Sequence, residues 1–288
     1  MHETKEHHGF IYGIFNALTS ALMFVFVKIL LDVPLTTVVF ARFFIGTLLL
    51  SPWLFREKLN FSREHLPKHL VRDLTGLASI YCFFYALRAI PLMNAATLSS
   101  TTPLFVPLVV LIYLKLMVPK RRILALAIGF AGVLLILQPK VGHFAELGGA
   151  FGLLSGLLSA VAVTYVRQLS RVETTSSILL TYFITATVVS LVPMLIFWKP
   201  IEGLFNWSCL LAMGIFGTCS QYFLTMSYTH APASKASLLS YLGVIFGGIL
   251  GWLIWNEVPT LWSLAGALLI ILGGAIALFD KTKPRSVG

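Results

Sequence analysis

Hydroxyl and amide side chains set inside long apolar runs are the chemistry this sequence offers. Ser99 and Ser240 stand at equivalent places in two similar stretches. Ser237, Ser240 and Tyr241 fall at i, i+3 and i+4, which is one face of a helix. Tyr81, with Tyr85 one turn on, has a counterpart in Tyr222, flanked by Gln221 and Thr225. Asn16, Ser20, Ser155 and Ser159 add polar tips to two further runs. Such groups donate and accept hydrogen bonds, and they suit the binding of a polar solute. Their other use is hydrogen bonding between helices, worth about 0.6 kcal/mol each.

The polar run Thr97, Ser99, Ser100, Thr101 and Thr102 leads into Pro103. Proline has no N–H, so the Ser99 carbonyl loses its helical partner, and Pro107 does the same to Pro103. A broken helix at membrane depth must lie within protein or beside water. The expectation is a kinked cavity wall that bends. Gly243, Gly247 and Gly251 are spaced by four, as are Gly148, Gly152 and Gly156. Small residues at this spacing let helix backbones approach closely, and Gly243 and Gly247 offer a smooth surface for rocking.

Charge is informative because it is expensive in lipid. Lys28, Arg42 and Arg88 lie toward the outer ends of the first three runs. They either snorkel to the interface or form a cationic outer mouth for a carboxylate-bearing substrate. Asp32, Asp73 and Glu257 are read at run ends, so no mid-span acid is expected to bind a proton or a cationic drug. The seven histidines are read in the tail, in loops or, for His230, at a span end. No nucleophile–base constellation emerges, and no catalytic residue is assigned. Cys82, Cys209 and Cys219 sit in apolar runs at no metal-ligand spacing, which suggests neither a disulfide framework nor a metal site. No cofactor is expected. No G-x-x-x-x-G-K-[ST] motif is present for ATP coupling.

The chain holds the same unit twice. YCFFYALRAIPLMNAATLSSTTPLF (81–105) matches YFLTMSYTHAPASKASLLSYLGVIF (222–246) at a shift of 141. Tyr81 falls on Tyr222, Pro91 on Pro232, Leu98 on Leu239, Ser99 on Ser240 and Phe105 on Phe246. The match reaches back to Gly76/Gly217 and Ser79/Ser220, and forward to Gly132/Gly273. Upstream, the shift is 139: Gly13/Gly152, Ser20/Ser159, Ala21/Ala160, Phe44/Phe183 and Ser51/Ser190, with Lys28 opposite Arg167. The two-residue change is assigned to a loop.

The elements that carry these residues follow from composition. Of 288 residues, 58% are hydrophobic and 11% charged, against about 25% charged in soluble domains. Ten runs are long enough to span a bilayer: Gly9–Leu31, Thr36–Phe55, Val71–Ile90, Ala95–Met117, Ile123–Leu137, Leu147–Val166, Ser176–Trp198, Trp207–Thr229, Ala233–Trp255 and Leu261–Phe279. They lack the alternation of barrel strands, so the fold class is all-α integral membrane. Lys and Arg concentrate in alternate loops, at Arg56 to Arg72, Lys115 to Arg122, Arg167 and Arg171, and the tail from Lys281. Only Lys140 and Lys199 lie in loops on the other side. The positive-inside rule then places both termini in the cytoplasm. The net charge of +10 is a topology signal, and no nucleic-acid partner is expected. The N-terminus, MHETKEHHGF, is mixed in charge, so the first span is expected to stay in the mature chain. Five helices per unit is odd, so the second copy enters from the opposite side. Residues 9–138 and 147–280 are read as inverted repeats, with 1–8 and 281–288 as cytoplasmic tails. Inverted repeats around a central site mark many secondary transporters.

With these features in view, the chain resembles the EamA-type ten-helix branch of the drug/metabolite transporter superfamily. The resemblance rests on ALRAIPLMNAATLSSTTPLFVPL (86–108), SYTHAPASKASLLSYLGVIFGGILGWLIWNE (227–257), GFAGVLLIL (129–137) and the Arg42–Phe43 pair. It covers nearly the whole chain, and it implies transport without naming a substrate. It also implies that the helices bearing the polar residues above surround a central cavity. The family usually has a Glu near the ends of helices 4 and 9. Here Glu257 fills the second position and Leu116 the first.

The expected function is a secondary transporter or facilitator in a bacterial inner membrane, moving a small polar or amphipathic metabolite by alternating access. Export of an amino acid or metabolite is favoured. Uptake of a nucleoside-like metabolite such as S-adenosylmethionine is the alternative, and a non-transporting scaffold or sensor is the reading from another class. The expected partners are a small-molecule substrate and the lipid bilayer, with the protein a monomer or weak homodimer.

Overall fold

A computed structural model describes residues 2–56, 63–114, 116–117, 120–137, 147–170, 172–230, 239, 241–279 and 285–286. The apolar runs fold as helices because lipid offers the backbone no partner. They are α1 (His2–Ile29), α2 (Leu35–Arg56), α3 (Leu66–Ala89), α4 (Leu92–Ser99), α5 (Thr102–Leu114), α6 (Lys120–Leu137), α7 (Leu147–Leu169), α8 (Thr175–Ile196), α9 (Gly203–His230), α10 (Leu242–Trp255) and α11 (Leu261–Phe279). Segments of α1, α2, α3, α7, α8 and α9 are long and apolar enough to cross a membrane, and α6, α10 and α11 carry shorter apolar stretches. The only described strands are Leu116–Met117 and Arg285–Ser286, which pair antiparallel.

The fourth expected span is broken, as its prolines require. α4 ends at Ser99 and α5 starts at Thr102. Thr101 Oγ1 donates to the Leu98 carbonyl at 2.6 Å. Thr102 Oγ1 donates at 3.0 Å to the Ser99 carbonyl, the acceptor that Pro103 leaves without an N–H.

Helix ends extend past the apolar runs. α3 starts at Leu66 rather than Val71, and α6 at Lys120 rather than Ile123. This corrects the reading of His69 as a loop residue and Asp73 as an end residue. Both lie inside α3 and are buried. His69 Nε2 pairs with Glu173 Oε2 at 2.7 Å, and Arg72 Nη1 donates to Asp73 Oδ1 at 3.1 Å. A buried ionisable group persists where it is paired and hydrogen-bonded.

The packing repeats with the sequence. α1 lies against α9 as α3 lies against α7, and α6 against α11. Equivalent glycines make equivalent contacts. A Cβ on Gly132 would come within 2.6 Å of the Gly266 carbonyl oxygen, and one on Gly273 within 2.7 Å of the Ala125 carbonyl oxygen. Ala125 and Gly266 are themselves counterparts at the shift of 141. Gly13 packs on Leu239 and its counterpart Gly152 on Leu98.

The α2/α8 register differs from the one read by residue identity. Burial in α2 and α8 repeats at a shift of 140: Thr37/Ser177, Val38/Ile178, Arg42/Tyr182, Phe43/Phe183 and Leu50/Ser190 are buried at both positions. Pairing Phe44 with Phe183 would put a ring that is 43% exposed against one that is 0% exposed. The offset therefore grows by one residue in each loop flanking α2, because the side facing the core, not the residue type, sets which positions are equivalent.

Candidate substrate cavity

A cavity of about 500 Å³ lies among α1, α2, α3, α7, α8 and α9. Its deep wall carries Asn16, Ser20, Arg42, Ser79, Ser99, Ser159, Ser220 and Gln221. Phe24, Ile80, Phe83, Val163 and Leu224 supply apolar surface. Arg167 and Ser170, both exposed, line it at the α7–α8 turn, with Thr175 beyond. A smaller hollow of about 170 Å³ shares Asn16, Ser20, Ser99 and Ser159, and runs past Ser100, Thr102, Pro103 and Gly243 to the α4–α5 break.

A hydrogen-bonded knot crosses the deep wall. Ser220 Oγ donates to Asn16 Oδ1 at 3.0 Å and lies 2.6 Å from Ser20 Oγ. Ser20 Oγ also reaches Asn16 Oδ1, at 3.2 Å. The counterpart contact in the other half is Ser79 Oγ to the Ser155 carbonyl, at 2.9 Å. So α1–α9 and α3–α7 are joined by hydroxyls at equivalent points.

Arg42 and Tyr182 form a second symmetric feature. A Cβ on Gly217 would sit 3.0 Å from Arg42 Nε, and one on Gly76 would sit 3.1 Å from the Tyr182 ring. Each glycine admits the large side chain of the opposite repeat. Arg42 is 2% exposed, and its Nε and Nη1 have no hydrogen-bond partner. Its guanidinium lies 5.1 Å from the Phe43 ring centroid and 5.6 Å from that of Phe84. Arg72 stacks on the Tyr182 ring at 3.7 Å.

At the end opposite the α7–α8 turn, α1, α4 and α10 are cross-linked. Lys28 Nζ pairs with Glu257 Oε1, and Glu257 Oε2 accepts from the Leu92 N–H at 2.9 Å. That N–H opens α4, where a carboxylate also meets the positive end of the helix dipole. Asn256 adopts φ 54° and ends α10, with Glu257 N–H bonded to the Gly251 carbonyl at 3.2 Å. The left-handed residue stops the helix and turns the chain so that Glu257 meets its partners.

The expected site residues separate into those on the cavity and those off it. Asn16, Ser20, Ser99, Ser159 and Gln221 line it, and Ser100, Pro103 and Gly243 line the adjoining hollow. Ser155 and Thr101 are fully buried and bond to backbone carbonyls. Tyr85 packs on Phe151, and Tyr222 on Phe223. Tyr81 is half-buried with its hydroxyl unpartnered, and all three tyrosines lie outside the cavity's lining. Tyr241 turns away toward α11, 3.5 Å from the Ile270 carbonyl. Gly247 packs on Leu92. Pro107 lies within α5. Ser237 and Ser240 lie outside the described residues.

The three cations expected at an outer mouth also part company. Lys28 is in the ion pair with Glu257. Arg88 donates to the Leu30 and Val33 carbonyls, at 2.6 and 2.9 Å, and so closes the end of α1. Only Arg42 reaches the cavity. Sequence reading missed Arg72, Tyr182 and Arg167 as lining residues. The two arginines looked like loop cations, and Tyr182 had no identity match in the other repeat.

Comparison with known proteins places this arrangement. The model of the EamA-like transporter family matches the chain twice, over residues 7–138 and 146–279. The chain belongs to the EamA-like transporter family. The two matches coincide with the two halves related by the contacts above. Among EamA relatives, the pseudopaline exporter CntI of Pseudomonas aeruginosa (strain UCBPP-PA14) is 32% identical over 96% of this chain and 94% of its own length. A riboflavin transporter of Brucella anthropi is 27% identical, covering 88% of this chain and 91% of that one. An S-adenosylmethionine uptake transporter of Rickettsia felis is 24% identical, over 86% and 84%. A crystal structure 18% identical superposes with a TM-score of 0.66 over 96% of each chain, which shows the shared fold. The apolar helices and the two family matches make this chain a multi-pass membrane protein of a transporter family.

Proposed function

We propose that this EamA protein carries a small polar or amphipathic metabolite across a bacterial inner membrane by alternating access. The observation that supports this reading best is the cavity of about 500 Å³, enclosed by both repeats and lined by hydroxyl, amide and guanidinium groups. Cavities of about 300–1,000 Å³ hold ligands of metabolite size. With both termini in the cytoplasm, the α7–α8 turn is cytoplasmic, the cavity opens inward, and the Lys28–Glu257–Leu92 tie closes the outer end. A pseudo-symmetric fold reaches its outward-open form by exchanging the contacts of its two repeats. The protein works as a monomer or weak homodimer and catalyses no bond change.

Export is the favoured direction, because the relative at 32% identity over nearly the whole chain is named an exporter. Uptake is the second reading, supported by the name of the S-adenosylmethionine relative. Reconstitution tests both. Purified protein in proteoliposomes should equilibrate at least one labelled solute faster than empty vesicles. If no solute moves while the protein is folded and inserted, a scaffold or sensor role replaces transport.

A further inference from the structure

We infer that the transported solute carries a carboxylate, and that Arg42 is the group that receives it. The inference rests on the transport reading and adds the substrate class. Arg42, Arg72 and Arg167 line the cavity, and no Asp or Glu is among the described residues lining it. The three arginines are not equal. Arg72 already shares its charge with Asp73 through a 3.1 Å hydrogen bond. Arg167 is exposed at the α7–α8 turn, where water and salt screen it. Arg42 is 2% exposed and has no carboxylate partner among the described residues, and two of its nitrogens have no acceptor. Its guanidinium lies over the faces of Phe43 and Phe84, with the Tyr182 phenol also within electrostatic reach.

A buried cation without an anion is costly unless something completes it. Guanidinium donors in a fixed plane match a carboxylate better than any neutral acceptor does. Asn16, Ser20 and Gln221 share the cavity and can hold the polar remainder of the solute, while Phe24 and Phe83 cover an apolar part. Arg167 then acts at the entrance, where a like-signed patch raises the local concentration of anions. The same charge pattern disfavours a solute whose net charge is positive.

The test uses full-length protein in proteoliposomes. The probes are citrate, histidine and N-acetylphenylalanine as carboxylates, the carboxamides of the last two, and riboflavin as a neutral solute without a carboxylate. The wild type is expected to move at least one carboxylate and to discriminate against its amide. Arg42→Gln should weaken apparent affinity for that carboxylate by about tenfold to a hundredfold and narrow its preference over the amide. Arg42→Lys, which keeps the charge, should lose less, and its elution as a monodisperse species separates binding from folding. Arg167→Gln should lower affinity about twofold, with the loss disappearing at high salt. Transport of riboflavin or the amides, with no carboxylate moved, would overturn the inference and leave the transport reading standing. Equal affinity of wild type and Arg42→Gln for a transported carboxylate would overturn it as well. Failure of every probe would remove the transport reading, and this inference with it.

Discussion

Arg42 and Tyr182 occupy the same place in the two repeats, and each rests against the glycine that is the other's counterpart. Arg42 meets Gly217, and Tyr182 meets Gly76. The scaffold is symmetric there and the chemistry is not, since a cation stands opposite a phenol. Substrate selectivity is therefore expected to depend on this pair more than on residues preserved in both halves.

Gly217→Ala tests the pair without touching its charge. The new methyl would sit 3.0 Å from Arg42 Nε and also 3.0 Å from Met23 Sδ. Both are ends of flexible side chains, so the stability cost should be near about 1 kcal/mol, the low end for overpacking. Apparent substrate affinity should fall by more than thermal stability in detergent does. Equal loss of both would mean that Arg42 only packs.

The Lys28–Glu257 tie should hold the outer end closed. Lys28 and Glu257 side chains are 10% and 21% exposed, so removing one partner should cost about 1–3 kcal/mol, as for hydrogen bonds to charged groups. Glu257→Gln keeps an acceptor for the Leu92 N–H and loses the ion pair. Alkylation of a cysteine placed at Ser20 by an outside, membrane-impermeant reagent should rise in Glu257→Gln and in Lys28→Ala. Unchanged labelling would show that the pair does not gate. At the inner end the equivalent positions are Arg167 of the second repeat, matching Lys28, and Leu116 of the first, matching Glu257, so the equivalent inner ion pair cannot form. Leu116→Glu is expected to favour the inward-closed form and lower alkylation from the inside.

Pro103→Ala returns an N–H to the position that Thr102 Oγ1 now serves at the Ser99 carbonyl. The break between α4 and α5 should shorten, since proline is the ordinary cause of such kinks. Turnover should slow while equilibrium binding stays within about threefold of wild type, because the proline supplies no donor to the solute. A parallel loss of binding would place the ring itself in the site.

Orientation is checked by single cysteines in intact cells. Positions 140 and 199 are expected to react with an impermeant reagent from outside, and positions 58, 120, 171 and 283 only after the cells are opened. Lys199 is exposed just past the end of α8. Reaction at 58 or 120 from outside would reverse the inward-facing assignment of the cavity.

The sequence by itself determined the membrane fold, the duplication and its inversion. Each follows from quantities local to the chain: lengths of apolar runs, an odd helix count per unit, and identities such as Gly132/Gly273 that packing then explains. It also located the break before Pro103, because a missing N–H is a property of one residue. What it left open was which polar groups face one another. Asn16 and Ser20 carry hydroxyl and amide tips like those of Ser155 and Thr101, yet the first two line the cavity and the others bond to their own helices. A few tens of degrees of helix rotation separate those fates, and rotation is set by packing across the bundle. Only the tertiary structure showed the α2/α8 register at 140, and with it Arg42 against Tyr182. Identity had aligned rings of like type, whereas burial aligned the sides of helices that face the core. Charge behaved the same way. Lys28, Arg42 and Arg88 look alike in sequence, and their surroundings make one an ion pair, one a ring-stacked cation in a cavity with no carboxylate among the described residues, and one a helix cap.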